Sequence, residues 1–150
     1  MVLKKKINIK NTKFGKKCEI IQPVNIYGAT LRDNIFVGPF VEIQKDVTID
    51  NNTRIQSHSF VCEKVRIGKN CFIGHGVKFI NDKFKQNKIL KNKNNYLQTI
   101  IGNNVLIGSN STILPVNIVS GVVIGAGSVV TKNIFKKGIY CGNPAKLIKS

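Results

Sequence analysis

The chain contains two histidines, and each lies in a short segment with other polar side chains. The first segment contains Gln56 and His58, and the second contains His75, Asn81 and Asp82. An imidazole can accept or donate a proton near neutral pH, and amide and carboxylate groups can orient a polar substrate by hydrogen bonds. These five residues are therefore candidates for a site that moves a proton while it holds a substrate in place.

The elements that position these side chains are indicated by a strict repeat. A period of six matches neither an amphipathic helix nor a two-faced strand, whose periods are 3.6 and 2. It is typical of a parallel β-helix, in which the chain turns a corner after every short strand. An aliphatic or aromatic residue recurs every six positions at Val37, Ile43, Ile49, Ile55, Val61, Ile67, Ile73 and Phe79.

Three such hexapeptides close one triangular coil of 18 residues, and the coils stack at the strand spacing of about 4.8 Å. Val37, Ile55 and Ile73 are then expected to form one inward ladder. A small or β-branched residue four positions after each inward residue suits a tight corner. The two histidines are 17 positions apart and are expected to lie close together on adjacent coils. A sandwich of short strands also spaces turns regularly, but it does not hold a strict period through eight repeats.

The repeat breaks after Phe79 and resumes at Ile101, 22 positions later, and the segment between them is polar and rich in lysine. A segment of this length cannot stay in the wall of the prism, so the sequence predicts an outward loop at about residues 82–98. Loops this long within a compact domain are usually functional or disordered. We expect the five polar residues to gather near the mouth of this loop.

The composition fits one domain, residues 1–150, with a net charge of +17. Of 24 basic residues only Arg32, Arg54 and Arg66 are arginine. Specific readout of nucleic acid favours arginine with aromatic partners, so we expect no nucleic-acid partner. A general attraction for anions remains, and it suits a substrate that carries phosphate.

The chain has neither a secretory signal nor an 18-residue apolar segment, so we expect a cytoplasmic protein without membrane insertion. The four cysteines form no C-x-x-C motif and are interpreted as small core residues rather than as a disulfide or metal site. They are Cys18, Cys62, Cys71 and Cys141.

Two groups of motifs carry a family resemblance. Residues 72–82 end in Phe-Ile-Asn-Asp, and residues 124–132 and 142–146 contain the glycine-rich and Gly-Asn-Pro-Ala-Lys motifs. Together they resemble the hexapeptide-repeat acyltransferase superfamily, and within it the bacterial nucleotide-sugar N-acetyltransferases. Those enzymes acetylate UDP- or dTDP-linked 3-amino-3-deoxyhexoses in surface-glycan synthesis, such as that of O-antigen. They carry a proline shortly after the Asn-Asp pair, whereas in this chain Asp82 is followed by Lys83, Phe84 and Lys85.

The resemblance implies an all-β, left-handed parallel β-helix with the outward loop and a short C-terminal tail. It implies acetyl-CoA as co-substrate and no metal. His75 would be the catalytic base, with His58 second, while Asn81 and Asp82 orient the sugar amine and Gln56 contacts the substrate. Coenzyme A would bind along the last coils at Gly108, Gly125, Ala126, Lys132, Pro144 and Lys146.

A single prism has no side chains deep enough to form a pocket, so the site is expected between prisms, and the resemblance implies a homotrimer. Positioning by Asn81 alone is an alternative to base catalysis, with the departing thiolate accepting the proton. Three other functions stay open. They are an O-acetyltransferase acting on a sugar or serine, a lyase of the γ-carbonic anhydrase type, and a non-catalytic binding protein. The lyase needs three histidines for zinc, and this chain has two, so the lyase is disfavoured.

Overall fold

In a computed structural model, the chain winds into a left-handed parallel β-helix of about seven turns. The structure describes residues 1–150 except the side chains of Gln86 and Lys93, which fall within the predicted loop. This architecture confirms the fold predicted from the six-residue period. The wall is made of short strands because the chain turns a corner after each of them.

The strands are numbered in chain order. Their bounds are β1 (Ile9–Lys10), β2 (Lys13–Phe14), β3 (Glu19–Ile20), β4 (Asn25–Tyr27), β5 (Thr30–Leu31), β6 (Phe36–Val37), β7 (Glu42–Ile43), β8 (Thr48–Ile49), β9 (Arg54–Ile55), β10 (Phe60–Val61), β11 (Val65–Ile67), β12 (Phe72–Ile73), β13 (Lys78–Phe79), β14 (Thr99–Ile101), β15 (Leu106–Ile107), β16 (Thr112–Ile113), β17 (Asn117–Ile118), β18 (Val123–Ile124), β19 (Val129–Val130), β20 (Ile139–Cys141) and β21 (Lys146–Lys149). Two short 3-10 helices lie between β13 and β14, at Lys85–Asn87 and Lys93–Asn95.

Three sheets form the sides of the prism. Sheet A has the order β1-β4-β7-β10-β13-β16-β19, and sheet B has the order β2-β5-β8-β11-β14-β17. Sheet C has the order β3-β6-β9-β12-β15-β18-β20-β21, and only its last pair, β20 with β21, is antiparallel. The predicted C-terminal tail therefore folds as a hairpin that extends sheet C.

The predicted inward ladder is present. Val37 pairs with Ile55, Ile55 pairs with Ile73, and all three side chains are fully buried. After the loop the ladder continues without a change of face, because Ile73 pairs with Ile107. Each coil packs only on its two neighbours, so the long insertion leaves the stacking of the core intact.

The β-helix begins earlier than the sequence repeat indicated. Ile9 pairs with Ile26 and Ile20 pairs with Val37, both across 17 rather than 18 residues. Ile26 is fully buried and Leu31 nearly so. These first coils escape a search for a strict period of six, because one side of each coil contains five residues instead of six.

Each coil turns three corners. The histidine corner, between sheets C and A, includes residues 38–41, 56–59, 74–77, 108–111 and 125–128. The asparagine corner, between sheets B and C, includes residues 32–35, 50–53, 68–71, 102–105 and 119–122. The loop corner, between sheets A and B, includes residues 44–47, 62–64 and 80–98.

A ladder of amides links the coils at the asparagine corner. Asn34 donates to Asn52 at 2.8 Å, Asn52 donates to Asn70 at 3.2 Å, and Asn70 donates to Asn104 at 3.2 Å. All four residues have positive φ angles between 54° and 60°. Asparagine tolerates this left-handed conformation better than most residues. The same residue type therefore suits the positive φ angle of the turn and supplies the hydrogen bonds between adjacent coils.

The buried polar side chains at the tight corners are mostly satisfied by the neighbouring backbone. Thr53 donates to the carbonyl of Gly68 at 2.8 Å, and Ser59 donates to that of Gly74 at 2.9 Å. Among the described residues, the buried Thr99 hydroxyl has no hydrogen-bond partner. No helix in the described part of the chain is long and apolar enough to cross a membrane.

Candidate functional site

The histidine corner brings both histidines together on adjacent coils. The amide of Gly76 donates to the carbonyl of Ser57 at 2.9 Å, and the amide of Asn110 donates to the carbonyl of His75 at 2.8 Å. These bonds place His75 one coil above Ser57 and His58 one coil below Gly76. His75 therefore lies above Ser57 rather than directly above His58, so the two histidines are one residue out of register between adjacent coils. Both side chains are exposed.

The ring of His58 packs in a tilted arrangement against the ring of Phe40, which lies one coil below it. The ring centroids are 4.9 Å apart and the planes are inclined by 32°. The ammonium of Lys78 lies at the same corner, where it donates to the carbonyl of His58 at 2.6 Å and to that of Gly76 at 3.1 Å. An aromatic ring, an imidazole and a cation thus share one edge of the prism.

Asn81 and Asp82 lie at the loop corner and hold the loop. The carbonyl of Asn81 accepts a hydrogen bond from the amide of Leu97 at 3.2 Å. One carboxylate oxygen of Asp82 accepts from the amide of Phe84 at 2.8 Å, and the other accepts from the amide of Leu90 at 3.1 Å. Asp82 therefore organises the backbone of the loop, and its contact to substrate stays a prediction.

The loop is also fastened to the coil below. The ammonium of Lys64 donates to the carbonyl of Asn94 at 2.9 Å and to that of Tyr96 at 3.0 Å. The neighbouring side chains of Cys62 and Glu63 are buried. Burial is the main cause that raises the pKa of the Cys62 thiol to about 12, and the nearby charge of Glu63 adds to the rise. The base of the loop corner is thus buried, whereas most of the described loop residues above it are exposed.

The structure does not gather the five predicted polar residues within one chain. Gln56, His58 and His75 lie at the histidine corner, whereas Asn81 and Asp82 lie at the loop corner. Strand β13 spans the face of sheet A between the two corners. The expectation of a single cluster was wrong for one chain, because the outward loop leaves from the far end of the strand that follows His75.

Three of the six residues predicted to bind coenzyme A lie at the histidine corner, on the two coils above His75, and form a column with it. Gly108 follows β15 and Gly125 follows β18, on the next two coils of the histidine corner. A Cβ added to Gly108 would lie 2.4 Å from the amide nitrogen of Ala126, so this glycine is required for the coils to stack. The predicted role of these glycines in the close approach of a ligand stays a prediction.

The outer side of this column is open. Ala126 is exposed, and a Cβ added to Gly127 would meet nothing within 4 Å. Small residues there leave room for an extended, flexible ligand arm such as pantetheine, so the residues present fit coenzyme A. Pro144 is exposed in the turn between β20 and β21, and Lys146 begins β21. Lys132 follows β19 and therefore lies on the other side of sheet A from that column.

A second polar network, which sequence reasoning missed, lies on the outer face of sheet A. Asn25 and Gln44 donate to the two carboxylate oxygens of Glu42 at 3.1 and 2.9 Å. Burial raises the pKa of the adjacent Tyr27 phenol, and the charges of Glu42 and Glu63 raise it further. Asn25, Glu42 and Gln44 form no recognisable sequence motif. The network follows only from the pairing of the neighbouring strands in sheet A.

The comparisons with known proteins agree with this architecture. The model for the hexapeptide repeat of succinyl-transferase matches residues 64–77 and 98–132. The bifunctional protein GlmU of Streptococcus uberis is 32% identical over 139 residues, which are 87% of this chain and 30% of GlmU. The chain thus spans about a third of the length of this curated relative.

Several solved acyltransferase structures share the fold. A variant of AntD, an N-acyltransferase from Bacillus cereus in complex with dTDP-4-amino-4,6-dideoxyglucose and coenzyme A, is 26% identical with a TM-score of 0.51, over 94% of this chain and 81% of AntD. A maltose O-acetyltransferase from Clostridium difficile 630 is 26% identical with a TM-score of 0.53, over 91% of this chain and 69% of that enzyme. These matches confirm the superfamily resemblance predicted from the repeat.

Proposed function

We propose that this chain, which belongs to the hexapeptide-repeat acyltransferase superfamily, transfers an acetyl group from acetyl-CoA to the amine of a nucleotide-linked amino sugar. The observation that carries the proposal is the continuous column at the histidine corner. His75 lies in the middle of it, Gly108 and Gly125 follow on the coils above, and His58 lies on the coil below. The acceptor and the acyl donor would approach His75 from opposite ends of the column.

The likeness to AntD supports the class of substrate. AntD was solved with a dTDP-linked amino sugar and coenzyme A. A UDP- or dTDP-linked 3-amino-3-deoxyhexose is the acceptor that the Asn81-Asp82 motif favours, and surface-glycan synthesis in the cytoplasm is the corresponding role. The net charge of +17 attracts two co-substrates that both carry phosphate.

The chemistry requires few groups. Acetyl-CoA would supply a thioester whose carbonyl carbon is open to attack by an amine. His75 would accept the proton that the amine nitrogen loses as the C–N bond forms. The C–S bond of the thioester would then break, and the departing coenzyme A thiolate would take up this proton to leave as the free thiol. Asn81 would aim the amine, and correct aim alone lowers the barrier because the reacting groups no longer have to find each other in solution.

His75 and Asn81 lie at different corners of one prism, so the proposed site requires two chains. The outer face of sheet C supports an assembly, because it presents a row of apolar side chains to solvent. Phe72 is 38% exposed, Leu106 is 45% exposed and Ile139 is 37% exposed, and these residues stand in one row in the register of the sheet. Contiguous apolar surface of this kind often marks a contact with a partner. A homotrimer would then join the histidine corner of one chain to the loop corner of the next.

An O-acetyltransferase that acts on a sugar hydroxyl is the second candidate. The likeness to the maltose O-acetyltransferase favours it. A hydroxyl is a weaker nucleophile than an amine and requires a protein base, and the exposed His75 is available for that role. The two candidates differ in the acceptor, so a direct assay separates them.

The test measures release of the coenzyme A thiol with a panel of UDP- and dTDP-linked amino sugars and with matched sugars that carry only hydroxyls. We expect turnover with an amino sugar. Asn81→Ala should lower kcat on the order of 100-fold, equivalent to about 2.7 kcal/mol, with unchanged affinity for coenzyme A. Wild-type kcat and KM in the Asn81 variant would show that the substrate enters elsewhere.

The assembly is tested separately by light scattering. We expect a mass near three times that of the 16.6 kDa chain. A stable, fully active monomer is incompatible with a site shared between chains.

A further inference from the structure

Phe40 occupies an unusual place at the histidine corner. Its φ angle is 60°, in the left-handed region that bulky residues rarely adopt. The other residues in this column of left-handed positions are His58, Gly76, Asn110 and Gly127. Glycine and asparagine are the residue types that this backbone conformation favours, so phenylalanine here is not explained by the turn.

Burial does not explain Phe40 either. Its side chain is 58% exposed, so the ring contributes little to the core. The amide of Phe40 donates to the carbonyl of Pro23 at 2.7 Å, which fixes the backbone against the coil below. The ring is held from above by its tilted contact with the ring of His58. A positive φ angle strains the backbone of a bulky residue. An exposed ring that is kept at such a position indicates a role in binding.

We propose that Phe40, supported by His58, is a stacking platform for the nucleobase of the acceptor substrate. This inference rests on the proposed function and adds the position of the nucleotide. A largely exposed aromatic ring that is held by a neighbouring ring suits a flat base, because stacking on such a ring is favourable for every base.

The spacing along the corner agrees with this assignment. Phe40 lies two coils below the coil that carries His75, a rise of roughly 10 Å at the usual strand spacing. The base and the reacting sugar of a nucleotide sugar are separated by ribose and a diphosphate. The ammonium of Lys78 is held by the carbonyls of His58, on the middle coil, and Gly76, on the coil of His75. It therefore lies above the ring, on the side where the diphosphate would run.

The experiment measures binding of UDP, dTDP and inorganic diphosphate to the full chain by calorimetry, and it requires no acetyl transfer. Phe40→Asn removes the ring but keeps a residue suited to positive φ, so the fold is retained. We expect this variant to bind UDP and dTDP about tenfold more weakly, with binding of inorganic diphosphate unchanged. Phe40→Tyr should keep wild-type affinity.

Phe135→Asn is the matched control, because Phe135 is 76% exposed and lies outside the histidine corner. It should leave nucleotide binding unchanged. Equal nucleotide affinity in wild type and Phe40→Asn overturns the platform, and so does equal affinity of wild type for inorganic diphosphate and UDP. A loss of assembly mass in Phe40→Asn would overturn it too, because it would assign the ring to a contact between chains.

The failure of this inference is distinguishable from the failure of the proposed function. If wild type turns over an amino sugar but Phe40→Asn binds nucleotides as wild type does, the stacking platform is refuted and the proposed enzyme activity is retained. If Phe40→Asn binds nucleotides more weakly but wild type turns over no amino sugar, the platform is retained and the proposed reaction is refuted.

Discussion

The ring centroids of His58 and Phe40 are 4.9 Å apart, and His58 lies one coil below the coil of His75. This contact gives the two histidines different surroundings although they share a corner. His58 is engaged with an aromatic neighbour, whereas His75 lies next to the column of small residues predicted to bind coenzyme A. His75 is therefore the better candidate for the base.

We expect His75→Ala to lower kcat on the order of 100-fold, a typical contribution of a general base. His58→Ala is the matched control, and its main effect should be on KM for the nucleotide sugar, because it removes the support of the Phe40 ring. Steady-state kinetics at saturating acetyl-CoA measure both. If His75→Ala retains wild-type kcat with an amino sugar, positioning alone carries the reaction.

Thr99→Val should stabilise the protein by about 1 kcal/mol, because it replaces a buried hydroxyl that has no hydrogen-bond partner among the described residues. Thr53→Val is the matched control. The Thr53 hydroxyl donates to the carbonyl of Gly68 and accepts from the amide of Cys71, so its loss should cost about 1–3 kcal/mol. Urea unfolding measures both. A destabilising Thr99→Val would mean that the hydroxyl is satisfied in solution.

Lys64→Met should loosen the loop without unfolding the β-helix. The substitution removes the two hydrogen bonds to the carbonyls of Asn94 and Tyr96. Limited trypsin digestion should then cleave residues 83–91 several times faster, while the unfolding temperature changes little. Lys17→Met is the control, since Lys17 is also a lysine at positive φ but lies far from the loop. Equal cleavage rates in the two variants would contradict the anchoring role.

The Cys62 thiol should make the protein less stable at high pH. Its pKa is raised from 9.0 to about 12 in the folded chain, chiefly by burial. Well below pH 9 the thiol is protonated in both the folded and the unfolded chain and has no effect on stability. Between about pH 9 and 12 the unfolded chain releases the proton while the folded chain retains it, so the free energy of unfolding falls.

Cys62→Ala should therefore lose less stability than wild type between about pH 8 and 10.5. Urea unfolding at several pH values provides the comparison. Wild type and Cys62→Ala share every other titratable group, so the difference between their profiles reports on the Cys62 thiol. Parallel pH profiles for wild type and Cys62→Ala would refute the shift.

The period of six determined the core of this protein. The stacking of Val37, Ile55 and Ile73 follows from their spacing alone, and the ladder continues to Ile107 across the loop. This was possible because each coil packs only on its neighbours, so the inward pattern is a local property of the chain. The first coils were missed because their pairs are 17 residues apart, as with Ile9 and Ile26.

The chemistry on the outer surface was decided by the tertiary structure. Sequence spacing placed His58 and His75 on adjacent coils, but it gave no sign of the Phe40 ring or of the distance between the histidine corner and Asn81. Outward side chains contact residues that lie on neighbouring coils, far away in the sequence, and no period constrains their types. The path of the loop depends on single contacts such as that of Lys64. The repeat therefore specifies the position of each side chain in its coil, and only the tertiary structure determines which outward side chains are in contact.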